Sequence, residues 1–491
     1  MRSRRGAALV AMVALLATPA AWAADDAVAR ATRLYEQRHY RDAARTLETA
    51  LPSLDSARQA PASLTLGIIY LGSAELHREL ARSATPIQLE YLKALAATRG
   101  PGASRLATLY LGQTLLESGR PAEAIKALER ASDGAVDAVV RAQARAYLGL
   151  AYFMLKDAAS ARAIWKTLDA RDAQVKATLA AVYSRAGITD PAPLALADAA
   201  LKDGERSALV RHKLIGVYAR AGLTARALAL VEQTDLKVPT VTEVLGPAKT
   251  INFYDPALLG DLAALYRQAS RVALERAAGD ARLKGTAEYY LGAAFLESGD
   301  AQRALQATRA FLALPGAPPA YRNRARVREA TARSLLARRA DDGSVWAELA
   351  PDTVADPELL ADIVAACVRY RLQCAAIEPQ AVRAAEAGER RKTAALNFAL
   401  GTYHLRKGDL PRAVAYLESA RDKTNKNRIE ANDPLLLVTL AEAYYQRTQF
   451  SESLEIYFEM SRQFPVVRGL QETLQGVYAM THKSAGDVKI F

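Results

Sequence analysis

A short repeat constrains the fold of this 491-residue chain more than any other sequence feature. Its clearest copy runs over Leu111–Ala131, where two helix-forming stretches flank a turn that contains Gly119. A small residue on the first stretch, Gly112, stands twelve positions before an alanine on the second, Ala124. Antiparallel helices joined by a short turn approach closely only where the facing side chains are small. The spacing therefore predicts a tight helical hairpin.

The same frame recurs along the chain, with Gly149, Gly292 and Gly401 each twelve positions before an alanine. One hairpin cannot bury both of its faces, so neighbouring hairpins must cover it and a stack results. We therefore predict an all-α fold, an α-solenoid of stacked antiparallel helix hairpins. The best copies are Ala31–Leu51, Leu106–Ala131, Arg145–Leu168, Thr286–Leu312, Ala395–Ala420 and Leu435–Pro465.

These copies, with their Leu-Gly, Tyr, Ala, aromatic, Ala and Pro positions, resemble the tetratricopeptide repeat (TPR) family. The resemblance implies a superhelix whose first helices line a concave groove, at positions three before, one after and four after the small residue. The positions that it selects are Leu109, Gln113, Leu116, Leu150, Phe153, Tyr289, Leu296, Phe398, Leu405, Glu442 and Tyr445, together with Ala146, Ala293, Thr402 and Val438. This mostly apolar set suits an apolar or amphipathic peptide or helix. The lysine and asparagine clamp of chaperone-binding relatives is not matched. The alternative interpretation of each of these residues is that it belongs to the buried core between neighbouring repeats.

The first residues have the pattern of a cleaved secretory signal. Arg2, Arg4 and Arg5 precede an apolar run that is too short to span a bilayer, and a small-x-small site ends at Ala23. We expect cleavage after Ala23 and a periplasmic or secreted mature protein.

The repeat frame fails over 236–255, where prolines and β-branched residues cluster. We therefore divide the chain into a signal peptide (1–23), an N-terminal array (24–235), a linker or groove-filling loop (236–255), a C-terminal array (256–482) and a tail (483–491). Val467–His482 is expected to be a capping helix that seals the last repeat.

The formal net charge is +12, and removing the three arginines of the signal leaves +9. A dense basic stretch indicates either a solvated helix surface or a face that attracts an anionic partner such as acidic polysaccharide. Its candidate residues are Arg322, Arg324, Arg326, Arg328, Arg338 and Arg339. Nucleic acid is not an expected partner, because no recognition motif is present.

Cys367 and Cys374 would meet in a disulfide if the chain reverses near Tyr370–Gln373; the alternative is two unpaired core thiols. The sequence has no zinc-binding helix pair, phosphate-binding glycine loop or serine nucleophile elbow. We therefore expect no metal, no cofactor and no catalytic residue.

The leading functional interpretation is an exported scaffold or adaptor that binds protein partners of the cell envelope in a superhelical groove. The alternative is an accessory protein of cell-envelope polysaccharide synthesis or export, which contacts an anionic polymer through its basic face.

Overall fold

The computed structural model describes most of the chain beyond residue 25, and these residues are almost all helical. The described residues are 26–97, 103–133, 137–188, 192–236, 241–246, 249–253, 255–315, 317–337, 346, 349, 355–388, 390–422, 424, 428–429 and 431–481. The predicted signal peptide (1–23), the tail (483–491), Arg338 and Arg339 lie outside them. In the described part of the chain, no helix is both long and apolar enough to cross a bilayer.

The described helices follow one another with short connections. The first half contains α1 Asp26–Glu36, α2 Tyr40–Ala50, α3 Ser56–Ala97, α4 Ala103–Glu117, α5 Pro121–Ser132, α6 Ala138–Met154, α7 Ala158–Lys166, α8 Ala173–Ala186, α9 Pro193–Asp203, α10 Ala208–Arg220 and α11 Thr224–Gln233, with a 3₁₀ turn at Leu51–Ser53. The second half contains α12 Leu258–Ala278, α13 Lys284–Glu297, α14 Ala301–Leu312, α15 Pro319–Ala337, α16 Pro357–Tyr370, α17 Glu378–Ala387, α18 Arg390–Lys407, α19 Leu410–Ala420, α20 Pro434–Gln446, α21 Phe450–Ser461 and α22 Val467–Thr481.

The described chain forms two compact units. Unit 1 contains the residues up to Glu75 together with Ala269–Glu459, and unit 2 contains Leu76–Gln268 and the residues from Met460 onward. This division differs from the two consecutive arrays expected from the sequence. The difference arises because α3 and α12 each contribute residues to both units, while α1 and α2 join later helices in unit 1.

In unit 2, α4, α6, α8 and α10 each pack against the helix that follows, and α4, α6 and α8 each contact the next first helix in the series. This is the stacked-hairpin arrangement that the sequence predicted. In unit 1, α13 packs against α14 and α18 against α19 in the same way. The predicted fold class is therefore confirmed.

The recurring glycines lie at the hairpin contacts, but their nearest neighbours differ from those expected. A Cβ at Gly149 would overlap the indole of Trp165, and one at Gly112 or Gly401 would overlap a leucine on the second helix. The glycine thus faces a large residue sixteen positions later, one turn beyond the predicted alanine. Those alanines (Ala124, Ala161, Ala304 and Ala413) are fully buried beside the contact.

The hairpin corners share one backbone conformation. Gly299 and Gly408 have φ of +76° and +80°, and the following Asp300 and Asp409 accept hydrogen bonds from backbone N–H groups at the start of the next helix. Glycine tolerates this conformation and aspartate is a favoured N-cap, which explains the recurrent Gly-Asp pair. Lys156 has φ of +70° at its own corner, so the turn does not require glycine.

The segment expected to be a linker or loop contains a β-hairpin. Strands β1 Val241–Gly246 and β2 Lys249–Phe253 pair antiparallel, with an irregularity between Val244 and Gly246. The β-branched residues that argued against helix favour a strand instead. Strand β2 contacts α22, the helix expected to cap the last repeat. Within unit 2, Gly476 of α22 also lies against Tyr91 of α3.

Cys367 and Cys374 form a disulfide with their Cα atoms 5.8 Å apart. Helix α16 ends at Tyr370, and Arg371 adopts a left-handed conformation with φ of +55°, which reverses the chain where the sequence analysis placed the turn. Both cysteines belong to the buried core of unit 1.

Candidate binding groove of unit 1

Unit 1 contains a groove with a volume of about 600 Å³, bounded by residues of α3, α13, α15, α16, α18 and α20 and by the corner between α1 and α2. This volume falls within the range of 300–1,000 Å³ that is usual for ligand-binding clefts. Aromatic, charged and alanine side chains form its surface.

Helix α16 supplies one wall. Glu358, Asp362, Ala365 and Arg369 follow one another at three- or four-residue steps, so they share one helical face. The wall from Glu358 to Arg369 is about 16 Å long, because each residue adds 1.5 Å to the helix. The opposite face of α16 is buried in the core through residues such as Val364.

At the C-terminal end of this wall, two carboxylates bind Arg369. Nη1 of Arg369 donates to Oε1 of Glu297 at 2.6 Å, and Nη2 pairs with Glu75. The Tyr370 hydroxyl donates to the same Glu297 oxygen at 3.4 Å. Burial acts to lower the pKa of Arg369, but the two carboxylates outweigh it and the pKa lies well above its ordinary value. This group, Arg369 with Glu75 and Glu297, is called the Arg369 triad.

A second triad occupies the other end of the wall. Nη2 of Arg324 lies 3.3 Å from Oε2 of Glu358, and its Nε lies 3.1 Å from Oδ2 of Asp362. Arg324 belongs to α15, so this Arg324 triad ties α15 to α16. Like the Arg369 triad, it contains two carboxylates and one guanidinium group.

A tyrosine cluster also lines the groove. The ring of Tyr289 lies 5.1 Å from the rings of both Tyr290 and Tyr321, in edge-on contacts. The Arg328 guanidinium group lies 4.0 Å from the Tyr289 ring centroid, and its Nη1 donates to the Tyr289 carbonyl oxygen at 2.6 Å. Burial raises the pKa of Tyr321 above its ordinary value.

The floor of the groove is made mainly of small apolar side chains. Alanines from three helices lie there beside the larger Leu296 and Phe398. Small side chains at these positions leave the volume that a bound segment would fill. The alanines are Ala293, Ala366, Ala394 and Ala395.

The structure places only some of the predicted groove residues in this groove. Tyr289, Leu296 and Phe398 line it, as does Ala293. Leu405 and Tyr445 are instead buried in unit 1, and the carboxylate of Glu442, also buried, accepts from Nη2 of Arg406 at 2.9 Å.

The predicted groove residues of unit 2 lie in its interior rather than on an open surface. Leu109, Leu116 and Leu150 are buried, and the ring of Phe153 is half-buried 6.3 Å from that of Trp165. The reason is that successive first helices contact one another directly, so positions facing the next first helix become core. The Gln113 amide donates to the buried Asp255 carboxylate.

The basic residues expected to form one face are divided among different environments. The Arg322 guanidinium group donates to the carbonyl oxygens of Leu314 and Ala317 at 2.6 and 3.1 Å. Arg324 and Arg328 line the groove of unit 1 and contact the groups described above, whereas Arg326 is exposed. The described arginines therefore do not form a continuous basic surface.

Unit 2 contains a buried ionic pair that the sequence analysis missed. Nζ of Lys213 lies 3.1 Å from Oδ2 of Asp255 and donates to the Tyr147 hydroxyl at 2.6 Å. The N–H of Ala257 donates to the other Asp255 oxygen at 3.0 Å, so this aspartate also caps the start of α12. The available signals were a lysine inside the apolar stretch of α10 and an aspartate before Pro256.

No cluster of histidine, cysteine, aspartate or glutamate suited to a metal ion occurs among the described residues. Arg324 and Arg369 in the groove of unit 1 contact carboxylates, and Arg328 contacts an aromatic ring and a carbonyl oxygen. Its shape and chemistry therefore suit the binding of a segment.

Neither a protein-family model nor a curated protein sequence matches this chain. Among solved structures, the chain is similar to yeast Tom70 at 12% identity and a TM-score of 0.32, over 93% of this chain and 95% of that one. It is similar to the Cut9–Hcn1 hetero-tetramer of the APC/C at 13% identity and a TM-score of 0.28, over 96% of this chain and 98% of that one. It is also similar to the TPR domain of P58(IPK) at 14% identity and a TM-score of 0.22, over 77% of this chain and 98% of that one.

At TM-scores this low, the likenesses say nothing about function. The architecture is established by the hairpins of the chain itself, in which a glycine on α4, α6, α13 and α18 faces the second helix and the first helices of unit 2 contact one another in series. The chain is a helical-repeat protein built from stacked antiparallel hairpins.

Proposed function

We propose that this protein is a scaffold that binds a segment of a protein partner in the groove of unit 1. The observation that carries the proposal is the construction of this groove, whose lining combines small alanine side chains, a tyrosine cluster and a charged face of α16. Tyrosine and arginine are enriched among the residues that dominate protein–protein binding energy. A floor of small side chains accepts the apolar face of a peptide or helix.

The charged groups of the groove support binding rather than catalysis. Arg324 and Arg369 are each held by two carboxylates, and these contacts join α15, α16, α13 and α3 within unit 1. Such pairing fixes the shape of the surface before a partner arrives. A preformed surface loses less conformational entropy on binding.

We further propose that the protein is exported and meets its partner in the cell envelope. The N-terminal residues have the order of a secretory signal, and a disulfide joins Cys367 to Cys374. Disulfides persist mainly in oxidising compartments such as the periplasm. The alternative of an acidic polymer on a basic face receives less support, because Arg322, Arg324 and Arg328 already contact carbonyl oxygens, carboxylates or an aromatic ring.

Site-specific photocrosslinking tests the binding proposal. A benzoylphenylalanine replaces Phe398 inside the groove in one variant, and Phe458, which is exposed on α21 outside the groove, in the other. We expect a discrete partner to be captured by the Phe398 variant alone. The captured protein, identified by mass spectrometry and purified, should then bind the full chain.

A groove-blocking variant is the matched check. Ala395 is exposed on the groove floor, so Ala395→Trp fills the groove without disturbing the core. This change should abolish capture at position 398 and weaken binding of the purified partner at least tenfold. Equal capture from positions 398 and 458, or full binding by the Ala395→Trp variant, would contradict the proposal.

A further inference from the structure

We infer that the groove of unit 1 binds its partner only while Cys367 and Cys374 are joined, because the disulfide positions Arg369 and Tyr370 at one end of the α16 wall. This inference rests on the proposed function and adds a dependence on oxidation to it. It is carried by the place of these two groove residues inside the disulfide loop, by the burial of both cysteines and by the backbone conformation of Arg371.

Two residues that line the groove lie inside the loop that the disulfide closes. The bond joins residues seven positions apart, and Arg369 and Tyr370 are the second and third residues after Cys367. Helix α16 ends at Tyr370, so both residues belong to its last turn. The end of a helix opens more readily than its middle. The position of these two side chains therefore depends on what holds this turn.

The disulfide ties the turn to the core of unit 1. Both cysteines are buried, in the same hydrophobic cluster as Leu372 and Trp346. The N–H of Leu372 donates to the Cys367 carbonyl oxygen at 2.9 Å, and Nε1 of Trp346 donates to the Gln373 carbonyl oxygen at 3.0 Å. The covalent bond thus connects the end of α16 to a buried anchor on the other side of the turn.

The second cysteine is itself fixed to the next helix. Its carbonyl oxygen accepts hydrogen bonds from the N–H groups of Ile377 and Glu378, both at 2.9 Å, where α17 begins. The disulfide therefore links the last turn of α16 to the first turn of α17.

The turn between the cysteines contains a residue in an unfavourable conformation. Arg371 has φ of +55° and ψ of +41°, in the left-handed region that disfavours residues other than glycine. Such a conformation persists where the surrounding structure determines it. The N–H of Arg371 donates to the Cys367 carbonyl oxygen, and the disulfide closes the same turn. Without the bond, the turn loses one of its constraints and the end of α16 is freer to move.

Arg369 connects the position of this turn to other parts of the groove. Its Nη1 donates to Glu297 of α13 at 2.6 Å, and its Nη2 pairs with Glu75 of α3. The Tyr370 hydroxyl donates to Glu297 at 3.4 Å. Because N–H···O hydrogen bonds extend over only about 2.7–3.2 Å, even a small shift of the last turn separates these groups. The surface that the partner meets then changes at this end.

The chemistry of the bond places this dependence in a compartment. Each thiol loses one proton and one electron when the bond forms, and the two electrons reduce a protein or small-molecule disulfide through thiol–disulfide exchange. On the proposed export route, the reduced chain would not hold its partner before it leaves the cytoplasm. Oxidation after export would complete the groove.

Hydrogen exchange of the full chain tests the positioning of the helix end without a partner. The oxidised chain is compared with a variant in which Cys367 and Cys374 are both serine. We expect the amides of residues 368–373 to exchange about tenfold faster or more in the variant, because local opening of this turn becomes easier. The amides of α4 in unit 2 should exchange at the same rate in both chains. Alanine replaces serine at both positions if the hydroxyl groups prevent folding.

Photocrosslinking from position 398 then tests the effect on binding. Capture should fall about tenfold or more in the cysteine-free variant, because its groove is no longer preformed. Ile456→Val provides the matched control. Ile456 is buried on α21 outside the groove, so this change lowers the stability of unit 1 without altering the turn. The Ile456→Val chain should capture the partner as well as the unaltered chain does.

Several outcomes would overturn the inference. They are equal exchange of residues 368–373 in the two chains, undiminished capture by the cysteine-free variant, or an equal loss of capture in the Ile456→Val chain. Loss of cooperative unfolding in both the serine and the alanine variants would also overturn it, because the bond would then support the whole of unit 1.

Failure of the proposed function gives a different result. If the unaltered chain captures nothing from position 398, the proposed function and the dependence of binding on oxidation are both overturned. The exchange rates of residues 368–373 then still decide whether the disulfide positions the end of the α16 wall.

Discussion

Gly149 shows how one missing side chain determines a helix contact. The indole of Trp165 occupies the space where a Cβ would lie, and its Nε1 donates to the Ala146 carbonyl oxygen at 2.9 Å. Gly149→Ala should therefore lower the free energy of unfolding by about 1–3 kcal/mol through overpacking. Urea denaturation followed by circular dichroism measures this change.

Gly260 provides the control for this substitution. It is exposed on α12, and no atom lies within 4 Å of a Cβ placed there. Gly260→Ala should be neutral or stabilise the protein by up to about 1 kcal/mol, because alanine restricts the unfolded chain. Similar losses for the two alanine variants would show that Gly149 is not a packing position.

Asp255 shows the cost of breaking a buried ionic pair. The side chains of Lys213 and Asp255 are 3% and 2% exposed, so Asp255→Asn would leave an ammonium group buried without its counter-charge. We expect a loss of about 3–5 kcal/mol in the free energy of unfolding at pH 7. Asp169→Asn, at the exposed pair with Arg171, should change stability little. Equal effects of the two substitutions would contradict the assigned role of Asp255.

The same pair predicts a dependence of stability on pH. Burial alone would raise the pKa of Asp255, but Lys213, the Ala257 N–H and Arg185 together hold it below its ordinary value. A carboxyl with a lowered pKa in the folded state stabilises the protein above its unfolded pKa, and this contribution is lost as the pH falls through the folded value. Acid unfolding below about pH 4 should therefore be steeper for the unaltered chain than for Asp255→Asn. If the free energy of unfolding fell in parallel for the unaltered chain and Asp255→Asn from pH 5 to 2, this assignment would be contradicted.

At the scale of helices, the sequence predicted hairpins well because their determinants are local. Gly112, Gly149, Gly292 and Gly401 all lie at contacts between the two helices of one hairpin. Two contacting residues that are only sixteen positions apart produce a regular spacing that can be recognised in the sequence. The β-hairpin was missed because its β-branched residues were interpreted as helix breakers only.

The disulfide is expected to stabilise the hairpin formed by α16 and α17. Closing a loop of this size contributes about 2–3 kcal/mol in the chain-entropy account. A variant with Cys367→Ser and Cys374→Ser should lose about that amount in urea denaturation, because the bond lies in the core of unit 1. Dithiothreitol should lower the stability of the unaltered chain in the same way and leave the double variant unchanged. A double variant as stable as the oxidised protein would contradict this expectation.

At the scale of the whole molecule, the groove could not be derived from the repeat alone. The Arg369 triad joins residues whose positions in the chain differ by 294 and 72. No short-range pattern records such contacts, and the repeat frame treats each first helix alike. The structure separates them: in unit 1 Tyr289 and Leu296, although buried, border a groove, whereas Leu109 and Leu116 at the equivalent positions of unit 2 belong to its hydrophobic core.

The proposed export and the disulfide together predict one outcome for the whole chain. Expressed with residues 1–23, the protein should be recovered from the periplasm starting at Ala24, with both cysteines protected from alkylation after denaturation. A form that starts at Ala24 without the signal should stay in the cytoplasm with both thiols reactive, since that compartment keeps cysteines reduced. N-terminal sequencing and alkylation mass spectrometry measure both properties. Uncleaved protein in the cytoplasm with two free thiols would refute export, while the groove would be tested separately by crosslinking at position 398 and by Ala395→Trp.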